Sequence, residues 1–176
     1  LGFTKTYEYD DDGRVTKITD QNGNSKTFSY DSEGNLKTVV DAKNNETSFA
    51  YKLSDAPYCP TCDPAENPKK PIEIHYPTYT ERYEYDVRGH IIKKTQVLDD
   101  TTQYEWQYTY DGAGNLTSIR LPDNSRVIYK YDALNRLVEI VDPFQNSSHL
   151  EYDRRDNLIS VTEPAGYERI FEYDLN

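Results

Sequence analysis

The dipeptide Tyr-Asp returns at a nearly fixed interval, and that interval constrains the fold more than any single residue does. It occurs at Tyr9-Asp10, Tyr30-Asp31, Tyr85-Asp86, Tyr110-Asp111, Tyr131-Asp132, Tyr152-Asp153 and Tyr173-Asp174, with Tyr51-Lys52 as a degenerate eighth copy. Successive tyrosines are 21, 21, 34, 25, 21, 21 and 21 residues apart. A period of this size marks an array of small units, none of which can bury its apolar face alone.

The residues around each pair describe a β-hairpin. A partner stands two positions before the tyrosine: Tyr7, Phe28, Phe49, Tyr83, Tyr108, Tyr129, Leu150 and Phe171. Spacing of two puts both side chains on one face of a strand. Four residues after the tyrosine come Gly13, Gly34, Gly89 and Gly114, with Asn135 and Asp156 in the same slot. These residue types best tolerate positive φ, and the preceding Asp can bond its own backbone in an Asx-turn. An apolar residue follows two further on (Val15, Leu36, Ile91, Leu116, Leu137, Leu158), and another nine after the tyrosine (Ile18, Val39, Ile119, Ile140, Val161), a column that Lys94 breaks. The two columns differ in parity, so the second strand either carries a bulge or buries both faces. A second turn closes each unit, as in Asp20-Gln21-Asn22-Gly23 and Asp142-Pro143-Phe144-Gln145. The expected fold class is all-β: tandem hairpins of two short strands each, roughly 14 to 16 strands, in one wide, twisted and therefore curved antiparallel sheet.

Composition alone points elsewhere. Leu, Ile, Val and Phe make up 35 of 176 residues, the net charge is −11 and the mean hydropathy is −0.94. That combination borders on disorder. The repeat resolves it, because 12 of the 17 tyrosines fall in the paired slots, where rings build a core and hydroxyls stay hydrated or bonded. The negative charge argues against nucleic acid as a partner. No run approaches the roughly 18 apolar residues of a membrane-spanning helix. The chain starts at Leu1 and contains no Met, so it is expected to be part of a longer protein.

Two stretches break the period. Residues 52–81 hold six of the nine prolines and divide the chain into repeats over 1–51, an insertion over 52–81 read as a loop at the sheet edge with the run from Ile72 to Tyr76 as a candidate short strand, and repeats over 82–176. The insertion carries Cys59-Pro60-Thr61-Cys62, whose spacing fits a disulfide or spare thiols, half a zinc site or a redox pair. Cys59, Cys62 and His75 are the weak metal candidates. The second break adds four residues around Asp99-Asp100-Thr101-Thr102, read as a longer hairpin with Tyr104 and Trp106 extending the aromatic face.

The pattern Tyr-Asp-x-x-Gly-[Arg/Asn]-[Leu/Val], seen at Tyr9–Val15, Tyr30–Leu36 and Tyr110–Leu116, resembles the Rhs or YD-repeat family. The resemblance covers the chain except for 52–81. That family includes bacterial polymorphic toxins, C components of insecticidal toxin complexes, wall-associated proteins and teneurins. It implies a sheet strip that spirals into a hollow shell, here an arc of that shell. It also implies a C-terminal effector domain as partner within the same chain, a secreted or cell-surface location, and repeats without catalytic activity. The Asp-Pro-x-Gly-rich segment that carries autoproteolysis in family toxins has no counterpart: Asp142-Pro143-Phe144-Gln145 and Glu163-Pro164-Ala165-Gly166 sit in ordinary repeat register.

Nothing in the sequence assembles an enzyme. The 31 carboxylates read as turn residues. Asp10-Asp11-Asp12-Gly13 lacks the spacing and distal Glu of a calcium loop. His75, His90 and His149 lie apart, with no Ser or Cys at motif spacing, and His90 reads as a solvent-facing variant of the Arg/Asn position. No cofactor is expected. The repeat residues proper are structural: Tyr9, Asp10, Gly13, Tyr30, Asp31, Gly34, Tyr51, Tyr85, Asp86, Gly89, Tyr110, Asp111, Gly114, Tyr131, Asp132, Tyr152, Asp153, Tyr173 and Asp174. Two functions follow: a non-catalytic shell segment that shields a cargo polypeptide, or a module whose aromatic rows bind a glycan or cell-surface partner. Periodic rings favour the first, and rings mostly buried within the sheet would weaken the second.

Overall fold

The structure is a computed structural model describing residues 4–51 and 70–174. Fifteen strands follow one another in chain order, with no helix among the described residues. The chain divides into two compact units, Leu1–Tyr104 and Glu105–Asn176. In the first, β1 (Thr6–Tyr9), β2 (Val15–Thr19), β3 (Ser25–Tyr30), β4 (Leu36–Val40), β5 (Glu46–Ala50), β6 (Glu73–His75), β7 (Thr80–Tyr85) and β8 (Ile91–Val97) form an antiparallel meander. The second continues from β9 (Gln103–Tyr110), which starts two residues ahead of the boundary. It adds β10 (Leu116–Arg120), β11 (Arg126–Tyr131), β12 (Leu137–Val141), β13 (Ser147–Tyr152), β14 (Leu158–Thr162) and β15 (Glu168–Ile170), again antiparallel.

Register settles the parity question in favour of a bulge. In β3–β4, Tyr30 opposes Leu36 and Ser29 opposes Thr38, leaving Lys37 as the extra residue. The same shift occurs opposite Tyr9, Tyr85, Tyr110, Tyr131 and Tyr152. An extra residue turns a spacing of three on one strand into the partner of a spacing of two on the other. Phe28 therefore faces Val39 while Tyr30 faces Leu36, and Tyr129 faces Ile140 while Tyr131 faces Leu137. All four side chains of a hairpin lie on one face. The other face takes the alternate residues, where the apolar pair Ile128–Val141 sits beside cross-strand ion pairs such as Lys130–Glu139 at 2.8 Å, and Arg82–Glu73 at 2.8 Å forms further along.

Within the insertion, the run from Ile72 to Tyr76 forms the candidate short strand, Glu73–His75. β6 pairs with both β5 and β7, with Phe49 opposite Ile74 as Phe28 is opposite Val39. Pro71 and Ile74 repeat the three-residue spacing of Leu36 and Val39. The ladder resumes where the Ile72 N–H donates to the Ala50 carbonyl at 2.8 Å, at the start of that run. The local proline density does not prevent this strand, because Pro71 and Pro77 flank it rather than interrupt it. Residues 52–69, with Cys59 and Cys62, lie outside the described residues. The other break is a lengthened hairpin, in which Asp99 Oδ1 accepts from the N–H groups of Thr101 and Thr102, and β9 carries Tyr104, Trp106, Tyr108 and Tyr110 at alternate positions.

A sheet one layer thick leaves its core half-open. Val141, at 8% exposure, is the only buried apolar side chain among the described residues. Most paired rings are half-buried, and those of Tyr7, Tyr9, Phe171 and Tyr173 are exposed. Tyrosine suits this setting because one end of the ring is apolar and the other tolerates water.

The turns hold the register. Among the described residues, eleven turns place a residue at positive φ, among them Gly13 (79°), Gly23 (81°) and Asn135 (62°). A β-carbon added to Gly13 meets no atom within 4 Å, so any cost of substitution is conformational. We expect Gly13→Ala to lower stability by about 1–2 kcal/mol through backbone strain alone. Urea unfolding followed by circular dichroism checks this, and an unchanged midpoint would contradict it.

Candidate functional site

The repeated Tyr-Asp unit is the candidate site, and its chemistry is structural. From Asp10 to Asp153, the aspartate of the unit caps its own turn. The Asp10 carbonyl accepts from the Gly13 N–H at 3.0 Å, while the Asp10 N–H donates to the Arg14 carbonyl at 3.0 Å. Asp10 Oδ1 then accepts from the N–H groups of Asp12 and Arg14, and Oδ2 accepts from Arg14 Nε at 2.7 Å. Asp31, Asp86, Asp111, Asp132 and Asp153 repeat the arrangement with Asn35, His90, Asn115, Arg136 and Asn157. In the second turns, Asp20, Asp41 and Asp142 do the same with Asn24, Asn45 and Asn146. His90, expected to face solvent, instead holds its Nδ1 2.9 Å from Asp86 Oδ2.

The tyrosine ties one repeat to the last. The Tyr30 hydroxyl donates to the Val15 carbonyl at 2.9 Å, Tyr51 to Leu36 at 3.0 Å, Tyr131 to Leu116 at 3.0 Å, Tyr152 to Leu137 at 2.9 Å and Tyr173 to Leu158 at 2.9 Å. Every acceptor lies fifteen residues back, at the first position of the preceding bulge. The β2–β3 ladder stops at Lys17–Thr27, two residues short of Val15, so a side chain supplies the donor there. Tyr85 reaches Pro71 in the same way at 2.8 Å.

A third link runs along the turns. Arg14 lies over the Tyr30 ring at 4.8 Å and Arg136 over Tyr152 at 5.0 Å. Arg136 Nη1 also reaches Asp156 Oδ1 at 2.8 Å, and Asn115 Nδ2 reaches Asn135 Oδ1 at 2.9 Å. Asn135 and Asp156 thus occupy positive-φ positions while bonding the preceding repeat. The Arg/Asn column was visible in the sequence pattern. The hydroxyl staple had no sequence signal beyond the tyrosine itself, because its acceptor is a backbone carbonyl.

Lys94, which breaks the apolar column, has a local reason. It opposes Tyr83 and pairs at 2.6 Å with Glu81, which is 7% exposed and also accepts from the Tyr83 hydroxyl. A buried carboxylate keeps its charge only with such partners. His75 is exposed and sits 3.1 Å from Thr80 Oγ1 and 3.5 Å from Glu73. Among the described residues, no group of three or more His, Cys, Asp and Glu is arranged to hold a metal ion.

Residues 61–176 match the Teneurin YD-shell family, and residues 9–51 match the RHS Repeat family. The chain belongs to the YD-shell family. Its fold is similar to that of the Photorhabdus luminescens Tc holotoxin pore, with a TM-score of 0.69 and 21% identity over 94% of this chain and 9% of that one. It is also similar to a TcdB2-TccC3 complex without its hypervariable C-terminal region (TM-score 0.69, 14% identity, 97% and 9% covered) and to TcdB2-TccC3-TEV (0.70, 21%, 94% and 10%). At these identities the likeness is one of fold, and the YD-shell chain spans about a tenth of each of those chains. No curated protein sequence matches it. The YD-shell repeats are structural repeats similar to parts of these toxin complexes.

Two expectations follow from the unit. Tyr131→Phe removes one hydroxyl-to-carbonyl bond and keeps the ring, so it should cost about 1 kcal/mol in urea unfolding; no loss would show the staple to be idle. The second concerns acid. Asn side-chain donors hold Asp20, Asp41, Asp111, Asp142 and Asp153 below the ordinary aspartate value, and backbone donors lead at Asp31 and Asp132. At Asp10 and Asp86 desolvation pushes upward, and the turn donors outweigh it. A lowered folded pKa stabilises the fold above the unfolded value of about 3.9 and loses that stability as pH falls through the folded value. Thermal unfolding should therefore vary little from carboxylate effects near neutrality and weaken steeply below about pH 4. A midpoint that stays flat into strong acid would contradict the capping role.

Proposed function

We propose that the chain is a stretch of shell wall, without catalytic activity, that encloses an effector domain carried C-terminal to the repeats in the same secreted or cell-surface protein. The observation that carries this reading is the single-layer sheet. In each unit one face gathers the repeat aromatics, strand contacts run between neighbours, and no second layer of described residues covers that face. A face of this kind is completed by a wall that coils around something.

The staples support a wall over open binding rows. Hydroxyls that would offer hydrogen bonds to a glycan are donated to carbonyls at Tyr30, Tyr51, Tyr85, Tyr131, Tyr152 and Tyr173. Repeats tied by side chain, backbone and turn resist local opening, which a shielding wall requires.

Limited proteolysis of the full-length protein tests the reading. The segment C-terminal to the repeats should resist protease inside the intact protein and be cut rapidly when expressed alone. Equal cleavage in both settings would overturn enclosure.

A further inference from the structure

The hairpin between β6 and β7 departs from the plan of the others. The five regular second turns, at Asp20, Asp41, Leu121, Asp142 and Glu163, share one pattern: a carbonyl accepts from the N–H three residues on, at a residue of positive φ. Between β6 and β7 the chain reads Tyr76-Pro77-Thr78-Tyr79, with no residue at positive φ, and the Tyr76 N–H donates to the Tyr79 carbonyl at 2.8 Å. The register of Ile74 opposite Glu81 and His75 opposite Thr80 carries on to set Tyr76 opposite Tyr79, on the face of Ile74 and Glu81. The two rings stack with centroids 4.5 Å apart and planes 21° from parallel. Neither tyrosine belongs to the paired slots, so the repeat core does not account for them.

The surroundings of the stack suit one-electron oxidation. Both rings are half-buried and border an open cavity of about 490 Å³, through which solvent reaches them. The Tyr76 hydroxyl lies 3.5 Å from Glu81 Oε2, and the Tyr83 hydroxyl donates to the same oxygen. Lys94 Nζ pairs with Glu81 Oε1 at 2.6 Å and favours the ionised carboxylate. A phenol that loses an electron becomes a strong acid, so a carboxylate beside its hydroxyl can take the proton. The stapled hydroxyls of Tyr30, Tyr51, Tyr131, Tyr152 and Tyr173 face backbone carbonyls instead, which are far weaker bases. The rings of Tyr83 and Tyr85, two apart on one strand, stand further apart, at 6.3 Å.

We propose that Tyr76 and Tyr79 are an oxidative cross-linking site, joined as dityrosine when hydrogen peroxide and a haem peroxidase supply the oxidant. Each phenol loses one electron and its hydroxyl proton, Tyr76 to Glu81 and Tyr79 to water. The two phenoxyl radicals couple through the ring carbons beside each oxygen. Each coupled carbon then sheds its hydrogen as a proton while its oxygen regains one, which restores both phenols. Two hydrogens leave the pair, and one hydrogen peroxide becomes two waters. The new carbon–carbon bond ties this turn covalently, where aspartates cap the turns at Asp20 and Asp41. The site is independent of shell formation, so its failure leaves the protease experiment unaffected.

Treatment of the 176-residue chain with hydrogen peroxide and a haem peroxidase tests it, with the monomer isolated and its tryptic peptides read by mass spectrometry. The expected product is a peptide that holds both tyrosines and is lighter by two hydrogens, together with dityrosine fluorescence of the monomer. Tyr79→Phe keeps a ring in the stack and removes the phenol, so it should abolish that product. A synthetic peptide of residues 71–82 at equal concentration should give about tenfold less of it, because the fold holds the rings in contact. Dityrosine at other tyrosines alone, a product that survives in Tyr79→Phe, or an equal yield from the peptide would overturn the assignment.

Discussion

The one-residue bulge in the second strand of each regular repeat is the constraint on which the rest depends. It lets apolar residues three apart, such as Leu36 and Val39, face aromatics two apart, Tyr30 and Phe28. It also marks the place where the ladder to the next hairpin has stopped, so that the carbonyl of the bulge's first residue accepts a tyrosine hydroxyl from one repeat later. Bulges increase local twist, and a sheet without a second layer needs both a shared apolar face and links between hairpins. One extra residue per repeat serves both.

Electrostatics follow the same economy. A net charge of −11 on 176 residues would ordinarily oppose compaction. Much of it sits on turn aspartates that accept two backbone N–H groups and one side chain each, as Asp31 and Asp142 do. Those carboxylates are stabilised as anions by donors the turn must satisfy anyway. Where Arg replaces Asn, at Arg14 and Arg136, the same position also covers the next tyrosine ring.

Much of this was legible before any coordinates. Period, the paired aromatic slots and positive-φ slots were written in Tyr9 through Val15 and its copies, because turn conformation and facing within one strand are local properties. The short strand at the C-terminal side of the insertion was legible as the run from Ile72 to Tyr76, and Ile74 sits in the ladder between Pro71 and Pro77. Lys94 looked like a defect in a column and proved to be the partner of Glu81, two positions before Tyr83 and on a neighbouring strand. His90 looked like surface variation and caps Asp86. Each miss concerns a partner that sequence distance hides.

The sequence by itself determined the all-β class, the hairpin repeat and the residues that turn it, because each depends on backbone preferences within about seven residues. It left open whether the second strand bulged or buried both faces, and it carried no sign of the hydroxyl staple, the Glu81–Lys94 pair or the Tyr76–Tyr79 stack. Only the tertiary structure decided these. Each joins a side chain to a backbone group, a charge or a ring whose nearness is set by strand register, and register is a relation between strands rather than a property of either one.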